Sequence, residues 1–378
     1  MISSDDLQNL IEREARRGSP VLSIYLDTDQ SHEINFERGF EVVLKNMLRD
    51  IERPLDKHQR EEFEADAERV REFVRDYQDI KRGLVICCDV SEDFFWYGEL
   101  NVKLRNGAWW NETPYVRPLI EILDEYERFC VVLADKQQAR LFTIHQGDIE
   151  EYREAFAPAE VSHTKSSAKD HLRSKINTER KSDQNAHWHL KHVAELTFRL
   201  TKKSDFDRLI LAGPVEATSE LSGLFPKWLR SRVVRHLALP IDADQAEVLE
   251  ETLKIEEELE RGQEVEVVEE LITAASGHER AVLKLGPTLR AIQEQRVWQL
   301  VYAEDFAPSG SECTNCAALL PDKMEACIYC VQAVREVDDL VDRAAARVLE
   351  QGAKVEQVRG AAATRMQEEG SIGAFLRY

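Results

Sequence analysis

The amino-acid sequence predicts an α/β protein with more than one domain. Short runs of β-branched and aromatic residues alternate with longer helical segments, an arrangement typical of mixed α/β folds. The chain has 378 residues, and a domain usually spans roughly 100–200 residues, so we expect two or three domains. Hydrophobic residues make up 43% and charged residues 32% of the chain, which is typical of a globular rather than a disordered protein.

The sequence also indicates where the protein resides. No apolar run approaches the roughly 18 residues that a membrane-spanning helix needs. The first residues include Asp5 and Asp6 and contain no apolar segment of the kind found in secretory signals. We therefore expect a cytoplasmic protein.

Three α/β domains are predicted. The first covers residues 1–128, the second 129–243 and the third 244–378, with a cysteine-rich insertion at 309–331. In the first domain, a helix is followed by predicted strands at 20–26, 82–88, 94–98 and 102–104, with a helical stretch at 35–77 that is broken near Pro54. In the second, strands are predicted at 129–135, 140–144, 149–152 and 208–212, with helices at 187–203 and 225–234 and a candidate further strand at 233–239. In the third, helices are predicted at 245–276, 283–295 and 334–350, with strands at 297–302 and 354–358.

One segment is basic, although the chain as a whole is acidic. The net charge is −21 at pH 7, which by itself argues against nucleic-acid binding because phosphates repel an acidic surface. Between residues 165 and 191, however, basic residues outnumber Asp170, Glu179 and Asp183. The basic residues are Lys165, Lys169, Arg173, Lys175, Arg180, Lys181 and Lys191, and His163, His171, His187, His189 and His192 lie in or beside the segment. This basic segment is a candidate phosphate-binding element, and an ordinary solvated helix face is the alternative.

Four of the seven cysteines form a metal-binding pattern. Cys313 and Cys316 make one Cys-x-x-Cys turn, and Cys327 and Cys330 make a second one ten residues later. Two such turns supply four thiolates for a tetrahedral zinc site. Four protein ligands leave no open position, so we expect structural zinc. Redox pairs or incidental thiols are the alternative, although disulfides are uncommon in a reducing cytoplasm.

Other motifs do not indicate catalysis. His187, His189 and His192 are better interpreted as solvated or phosphate-facing residues than as metal ligands, because their spacing does not suit one helix face. The sequence contains no Walker loop, no Gly-x-Gly-x-x-Gly and no Gly-x-Ser-x-Gly motif. We therefore predict no catalytic residue.

Segments at residues 20–26, 82–86, 129–142, 187–195 and 370–378 together resemble the archaeo-eukaryotic release factor family, which includes the Pelota-type rescue factors. The most specific of these are the Val193-Ala194-Glu195 helix and the ending from Gly370 to Tyr378. The resemblance implies a three-domain, release-factor-like architecture. The cysteine insertion lies where some members carry a zinc-binding minidomain.

The chain departs from the family in two motifs. Hydrolytic members place a Gly-Gly-Gln loop before this helix, but the ungapped position here is His171-Leu172-Arg173, and no Gly occurs between Gly147 and Gly213. The stop-codon-reading Asn-Ile-Lys-Ser motif is also missing near residues 36–39. This combination resembles the bacterial branch of the family, including members that act in ribosome hibernation.

The resemblance implies a non-enzymatic factor that occupies the ribosomal A site in hibernation or rescue. Ribosomal RNA would be contacted by an extended basic loop at residues 163–187, through Lys165, Lys169, His171, Arg173, Lys175, Arg180 and Lys181. The third domain would contact elongation factor Tu. The alternatives are a peptidyl-tRNA hydrolase with a substituted loop, in which Gln184 orients water, and a scaffold that binds another RNA or protein.

Overall fold

The computed structural model describes residues 2–13, 20–78, 81–152, 171–202, 206–277 and 280–378, with side chains from residue 184 onward in the segment that begins at 171. The chain divides into two compact units. Unit 1 contains residues 1–125 and 259–378, and unit 2 contains residues 126–258. Most residues of the predicted first and third domains therefore belong to one compact unit, and residues 244–258 belong to the other.

The N-terminal part of unit 1 is a four-stranded antiparallel sheet covered by two helices. Its elements are α1 (Ser4–Glu12), β1 (Val21–Asp27), α2 (Phe40–Glu52), α3 (Lys57–Asp76), β2 (Gly83–Asp89), β3 (Phe94–Leu100), β4 (Gly107–Asn111) and α4 (Arg117–Glu125), with a short 3₁₀ helix at Glu33–Arg38. The strand order is β3-β2-β1-β4. Because Leu22, Ile24 and Leu26 alternate along β1, they all face α2 and α3, where they pack against Leu44 and Phe63 in the core.

Unit 2 is a five-stranded mixed sheet. Its elements are β5 (Phe129–Ala134), β6 (Ala139–His145), β7 (Asp148–Glu151), α5 (His171–Leu200), β8 (Arg208–Ala212), α6 (Val215–Leu224), α7 (Lys227–Arg230) and β9 (Val233–Leu237). The order is β7-β6-β5-β8-β9, and β5, β8 and β9 run parallel. Gly213 ends β8 with φ +127°, and a Cβ there would lie 2.2 Å from the carbonyl oxygen of Ala134. Only glycine fits this close turn into α6.

The C-terminal part of unit 1 contains a second sheet and a small third one. The elements are α8 (Gln245–Ser276), β10 (Ala281–Leu283), α9 (Leu285–Gln293), β11 (Val297–Ala303), β12 (Gly310–Cys313), β13 (Leu319–Leu320), β14 (Val334–Val337), α10 (Leu340–Glu350), β15 (Lys354–Val358), α11 (Gly360–Glu368) and β16 (Ile372–Leu376). The main sheet has the order β10-β16-β11-β15, and β13-β12-β14 forms the cysteine-rich minidomain. The boundary between the two units falls within α8.

A buried set of charges joins the two parts of unit 1. The guanidinium of Arg117, at the start of α4, donates to Glu121 at 2.8 Å and to Asp339 at 2.9 Å. Asp339 also accepts from the Tyr115 hydroxyl at 2.8 Å. The carboxylate of Asp342, in α10, accepts from the backbone N–H groups of Val116 and Arg117 at 3.0 and 2.9 Å. A carboxylate of α10 thus satisfies the free N–H groups at the start of α4.

A second group of carboxylates lies between α4, α8 and β15. Burial, together with the charges of Glu356 and Glu260, raises the pKa of Asp124 well above its usual range. Burial and the charges of Glu356, Glu264 and Glu125 raise the pKa of Glu260 to about 8. Arg261 and Arg359 each pair with Glu125, which offsets part of this negative charge. The group therefore retains protons at pH values where ordinary carboxylates are ionised.

Most predicted elements are confirmed, and three predictions are wrong. The strand predicted at residues 102–104 is irregular backbone, and β4 lies at Gly107–Asn111 instead. The helix predicted at 334–350 begins only at Leu340, because Asp339 caps it and residues 334–337 pair with β12. The helix predicted at 225–234 is a single turn, Lys227–Arg230, followed by β9. Each error reflects strand pairing with distant residues, which local periodicity does not reveal.

None of the described helices combines the length and apolar character needed to cross a membrane.

The stability of the chain should decrease as pH rises from about 5 to 8. In this range the folded chain keeps the Glu260 proton, whose pKa is about 8, while an unfolded glutamate, with a pKa near 4.3, has lost it. The folded state therefore binds more protons, and its free energy of unfolding falls with increasing pH. Urea unfolding of Glu260→Gln should show a shallower pH dependence than the native chain. The exposed Glu257→Gln is the control on the same helix, and an unchanged slope in Glu260→Gln would contradict this account.

Candidate functional site

Helix α5 carries most of the basic segment. Its C-terminal half packs on the sheet of unit 2 through Leu190, Val193, Ala194 and Leu200, all of which are buried. This confirms the apolar face predicted for the helix. The hydroxyl of Thr197 donates to the Val193 carbonyl at 2.9 Å, so this buried polar side chain is satisfied within the helix.

The predicted extended loop at 163–187 is wrong for residues 171–187. The structure has a continuous helix from His171 to Leu200, so the backbone at His171, Arg173, Lys175, Arg180 and Lys181 is helical. Lys165 and Lys169 lie outside the described residues. The error has a physical reason: residues 171–186 lack apolar periodicity, yet the segment 171–200 contains no Gly or Pro to interrupt a helix.

The described part of α5 presents polar and aromatic groups to solvent. Trp188 is 61% exposed, and the ammonium group of Lys191 lies 5.3 Å from its ring centroid. The Nδ1 atom of His187 lies 2.7 Å from Glu220 Oε1, on α6. Gln184 is exposed and lies within the helix. The arrangement therefore offers an indole face and an ammonium group beside a helical segment rich in basic residues, chemistry that suits RNA phosphates and bases.

The four predicted cysteine ligands come together in the minidomain. The Sγ atoms of Cys313, Cys316, Cys327 and Cys330 all lie within 4.8 Å of one another. The shortest contacts are Cys313–Cys330 at 3.3 Å and Cys316–Cys327 at 3.6 Å. A tetrahedral zinc with bonds of about 2.3 Å requires sulfurs about 3.8 Å apart. Among the side chains that the structure describes, no other group of His, Cys, Asp or Glu has metal-binding geometry.

The two cysteine turns have the same backbone geometry. In the first turn the N–H of Ala317 donates to the Cys313 carbonyl at 3.0 Å, and in the second that of Val331 donates to the Cys327 carbonyl at 2.9 Å. Ala317 and Val331 both have positive φ, 54° and 62°. This conformation is unfavourable for a β-branched residue such as Val331. Two matching turns therefore direct four sulfurs to one point, an arrangement that could hold a metal ion.

In the first cysteine turn, the pKa values of the two thiols are shifted in opposite directions. Burial raises the pKa of Cys313, but hydrogen bonds from the N–H groups of Cys316 and Asn315 outweigh it and lower that pKa to about 6. Burial and the neighbouring thiols raise the pKa of Cys316 to about 12. A hydrogen bond between the two side chains contributes to both shifts, because it favours the thiolate at Cys313 and the protonated thiol at Cys316. A divalent cation would stabilise all four as thiolates.

A buried carboxylate fastens the minidomain to α10. Glu312, beside the first ligand, is almost fully buried and accepts from Arg335 at 2.8 Å, and from Arg343 and Arg347 at 3.3 Å each. Arg347 also donates to the carbonyl of Ala317, in the first cysteine turn, at 2.9 Å. No local sequence pattern indicates a role for Glu312, because its three arginine partners follow it by 23 to 35 residues.

The family comparison covers unit 2. Residues 114–257 match the sequence model of bacterial archaeo-eukaryotic release factor family 10. The matched segment contains all five strands of the unit 2 sheet together with α5 and the basic segment. This match covers part of the chain, and it agrees with the resemblance to the archaeo-eukaryotic release factor family in the sequence. A search of curated proteins found no match.

Several solved structures are similar to the chain. An archaeal translation termination factor, aRF1, is 15% identical, with 100% of this chain and 99% of that chain covered and a TM-score of 0.26. Pelota of Archaeoglobus fulgidus is 16% identical, with 78% and 79% covered and a TM-score of 0.33. Archaeal Pelota, in a model of ribosome-bound Pelota and ABCE1, is 9% identical, with 100% and 94% covered and a TM-score of 0.43. The resemblance to the release factor family rests on the sequence match of residues 114–257 rather than on these scores.

Proposed function

We propose that this chain is a ribosome-binding factor of the release-factor and Pelota type, which occupies the A site in ribosome hibernation or rescue. One observation carries the proposal: the segment that matches the release factor family contains the stretch at residues 165–191 where basic residues outnumber acidic ones in an acidic chain. A relative of the same broad family, archaeal Pelota, has a structure described as ribosome-bound.

The charge distribution supports contact with ribosomal RNA through unit 2. Phosphate binding requires Lys and Arg side chains, and its strength depends on how many phosphates they neutralise. The proposed contacts are Lys165, Lys169, His171, Arg173, Lys175, Arg180 and Lys181. The acidic remainder of the chain disfavours indiscriminate binding to RNA, so that binding concentrates on this segment.

The same segment disfavours peptidyl-tRNA hydrolysis. A Gly-Gly-Gln loop needs the backbone freedom of glycine, and no glycine occurs between Gly147 and Gly213. Gln184, the only glutamine in the segment, lies within α5, where a regular helical backbone holds it. We therefore propose binding without hydrolysis.

Zinc is the proposed metal of the minidomain. Four sulfur ligands select zinc or iron–sulfur chemistry, and the sulfur separations agree with the roughly 3.8 Å expected for a mononuclear tetrahedral zinc. Zinc would supply positive charge to four thiolates and crosslink the two turns. Its role would be structural, since all four positions are taken by the protein.

Replacing Cys327 with Ser should abolish stoichiometric zinc binding and loosen the minidomain, while the three larger sheets remain folded. The measurement is elemental analysis of protein purified without chelator, with the thermal unfolding curve beside it. Val331→Gly is the matched control, because it keeps all four thiols and relieves the positive φ at that turn. Native protein that contains no metal, or Cys327→Ser protein that still holds one zinc per chain, would rule the site out.

Changing Lys169, Arg173, Lys175 and Arg180 together to Ala should weaken ribosome binding and flatten its salt dependence. Removing one phosphate-binding side chain lowers the salt slope by about one, so a decrease of up to about four is expected in co-sedimentation across a salt series. Alanine is a strong helix former, so α5 should survive.

The control for this variant removes the same charge elsewhere. Arg105, Arg235, Lys254 and Lys323 are exposed and each pairs with a carboxylate, so their replacement by Ala should leave the salt slope unchanged. Equal behaviour of the two quadruple variants would reject the RNA-contact role. Peptide release from loaded ribosomes that is abolished in Gln184→Ala would favour the hydrolase instead.

Elongation factor Tu is the proposed partner of the C-terminal segment, which carries the exposed acidic face of α8. Reversing the exposed charges of Glu266 and Glu270 to Lys should reduce recovery of elongation factor Tu in a pull-down several-fold. The same reversal at Glu61 and Glu72, exposed on α3, is the control. Point variants are preferable to deleting residues 244–378, because deletion would leave Arg117 without its Asp339 partner. Recovery that is equal for both variants would exclude this face of α8.

A further inference from the structure

A cavity opens on the C-terminal sheet of unit 1, away from every residue assigned a role so far. Its volume is about 640 Å³, and it is lined by Ala274, Arg280, Trp298, Phe375, Leu376 and Arg377. These residues come from the end of α8, the approach to β10, the start of β11 and the end of β16. Two aromatic rings and two guanidinium groups thus converge in an acidic chain.

The backbone is shaped to place Trp298 in this cavity. In the pairing of β11 with β16, Val297 faces Leu376 and Gln299 faces Phe375, so Trp298 is an extra residue at a β-bulge. A bulge changes the direction of the side chain that it carries and often occurs beside functional sites. Here the indole lies 5.5 Å from the ring of Phe375, tilted by 37°, and Trp298 is 41% exposed. The indole of Trp298 therefore packs against Phe375, while much of the Trp298 side chain remains exposed to solvent.

The two arginines give the cavity positive charge. The Nε atom of Arg377 donates to the Val297 carbonyl at 3.0 Å, and its Nη2 atom donates to the Gln351 carbonyl at 2.7 Å. These bonds fix the guanidinium without neutralising it. Arg280 is exposed, and no carboxylate among the described residues lies within ion-pair distance of either arginine. The C-terminal end of α8 contributes about half a negative charge, which two full positive charges outweigh.

We propose that this cavity binds one unpaired nucleotide of single-stranded RNA, with its base stacked on Trp298 and its phosphate between Arg280 and Arg377. An aromatic platform beside uncompensated cations is the combination that single-strand binders use. An acidic peptide would satisfy the arginines but offers no planar group for the exposed indole, so the aromatic ring favours RNA. The proposal goes beyond the RNA contacts of unit 2, because it gives unit 1 an RNA site of its own.

Binding of a fluorescein-labelled hexa-adenylate to the full chain, followed by fluorescence anisotropy, tests the stacking role. Trp298→Ala should weaken binding about tenfold, in keeping with the loss of one stacked base, and Trp298→Phe should recover most of it. The matched control is Trp228→Ala, because Trp228 is similarly exposed, at 45%, on unit 2. Retained affinity in Trp298→Ala, or an equal loss in both alanine variants, would overturn the proposal.

Arg280→Ala tests the charge without altering the bulge. It should lower the salt slope by about 0.7, the value for one neutralised phosphate on a single strand. Arg365→Ala is the control, since Arg365 is neutralised by Glu269, Glu368 and Glu369. An unchanged slope in Arg280→Ala would contradict phosphate binding by this residue.

Two further comparisons separate this site from its alternatives. Repeating the Trp298 series in the chain that lacks Lys169, Arg173, Lys175 and Arg180 should preserve the tenfold effect, so failure here is distinguishable from failure of the unit 2 contacts. A hexaglutamate peptide that binds in a Trp298-dependent manner, where hexa-adenylate does not, would assign the cavity to an acidic protein segment and overturn the RNA proposal.

Discussion

The buried charge set around Arg117 is the constraint on which unit 1 depends. Its guanidinium bridges Glu121 and Asp339, while Asp342 caps the helix that Arg117 begins. Removing Arg117 would leave Glu121 and Asp339 buried without the guanidinium that they share, a change that typically costs about 3–5 kcal/mol. Residues from opposite ends of the chain are therefore held as one body, and the sheets that carry the minidomain and the aromatic cavity belong to it.

The basic segment and the sulfur cluster lie in different units of the chain. The helix α5 of unit 2 carries the basic segment, whereas unit 1 combines acidic surfaces with a sulfur cluster and one small cationic cavity. Glu312, beside the sulfur cluster, pairs with Arg343 and Arg347 of α10. Because α10 packs against β11 and β15, binding of a metal would also stabilise the C-terminal sheet. The described part of the basic segment lies on α5, and the cysteine turns adjoin the small sheet of the minidomain.

Local signals in the sequence predicted much of the fold but few of the contacts between distant residues. The strand at Val21–Asp27, the apolar face of α5 and the four cysteines follow from alternation, helical spacing and ligand spacing. Arg117 and Asp339 are 222 residues apart in the sequence, so no local sequence pattern predicts their pairing. The same holds for the bulge at Trp298, which exists only because β11 pairs with β16. The helical start of α5 lacked an apolar stripe, so periodicity could not reveal it.

We propose that the basic segment of unit 2 contacts ribosomal RNA inside the A site. Chemical footprinting of ribosomal RNA, with and without the protein, tests it most directly because it reports both binding and position. We expect the native chain to protect nucleotides at the peptidyl-transferase centre. This protection should be lost when Lys169, Arg173, Lys175 and Arg180 are replaced by Ala. Absence of protection there, or protection that persists in the substituted chain, would contradict it.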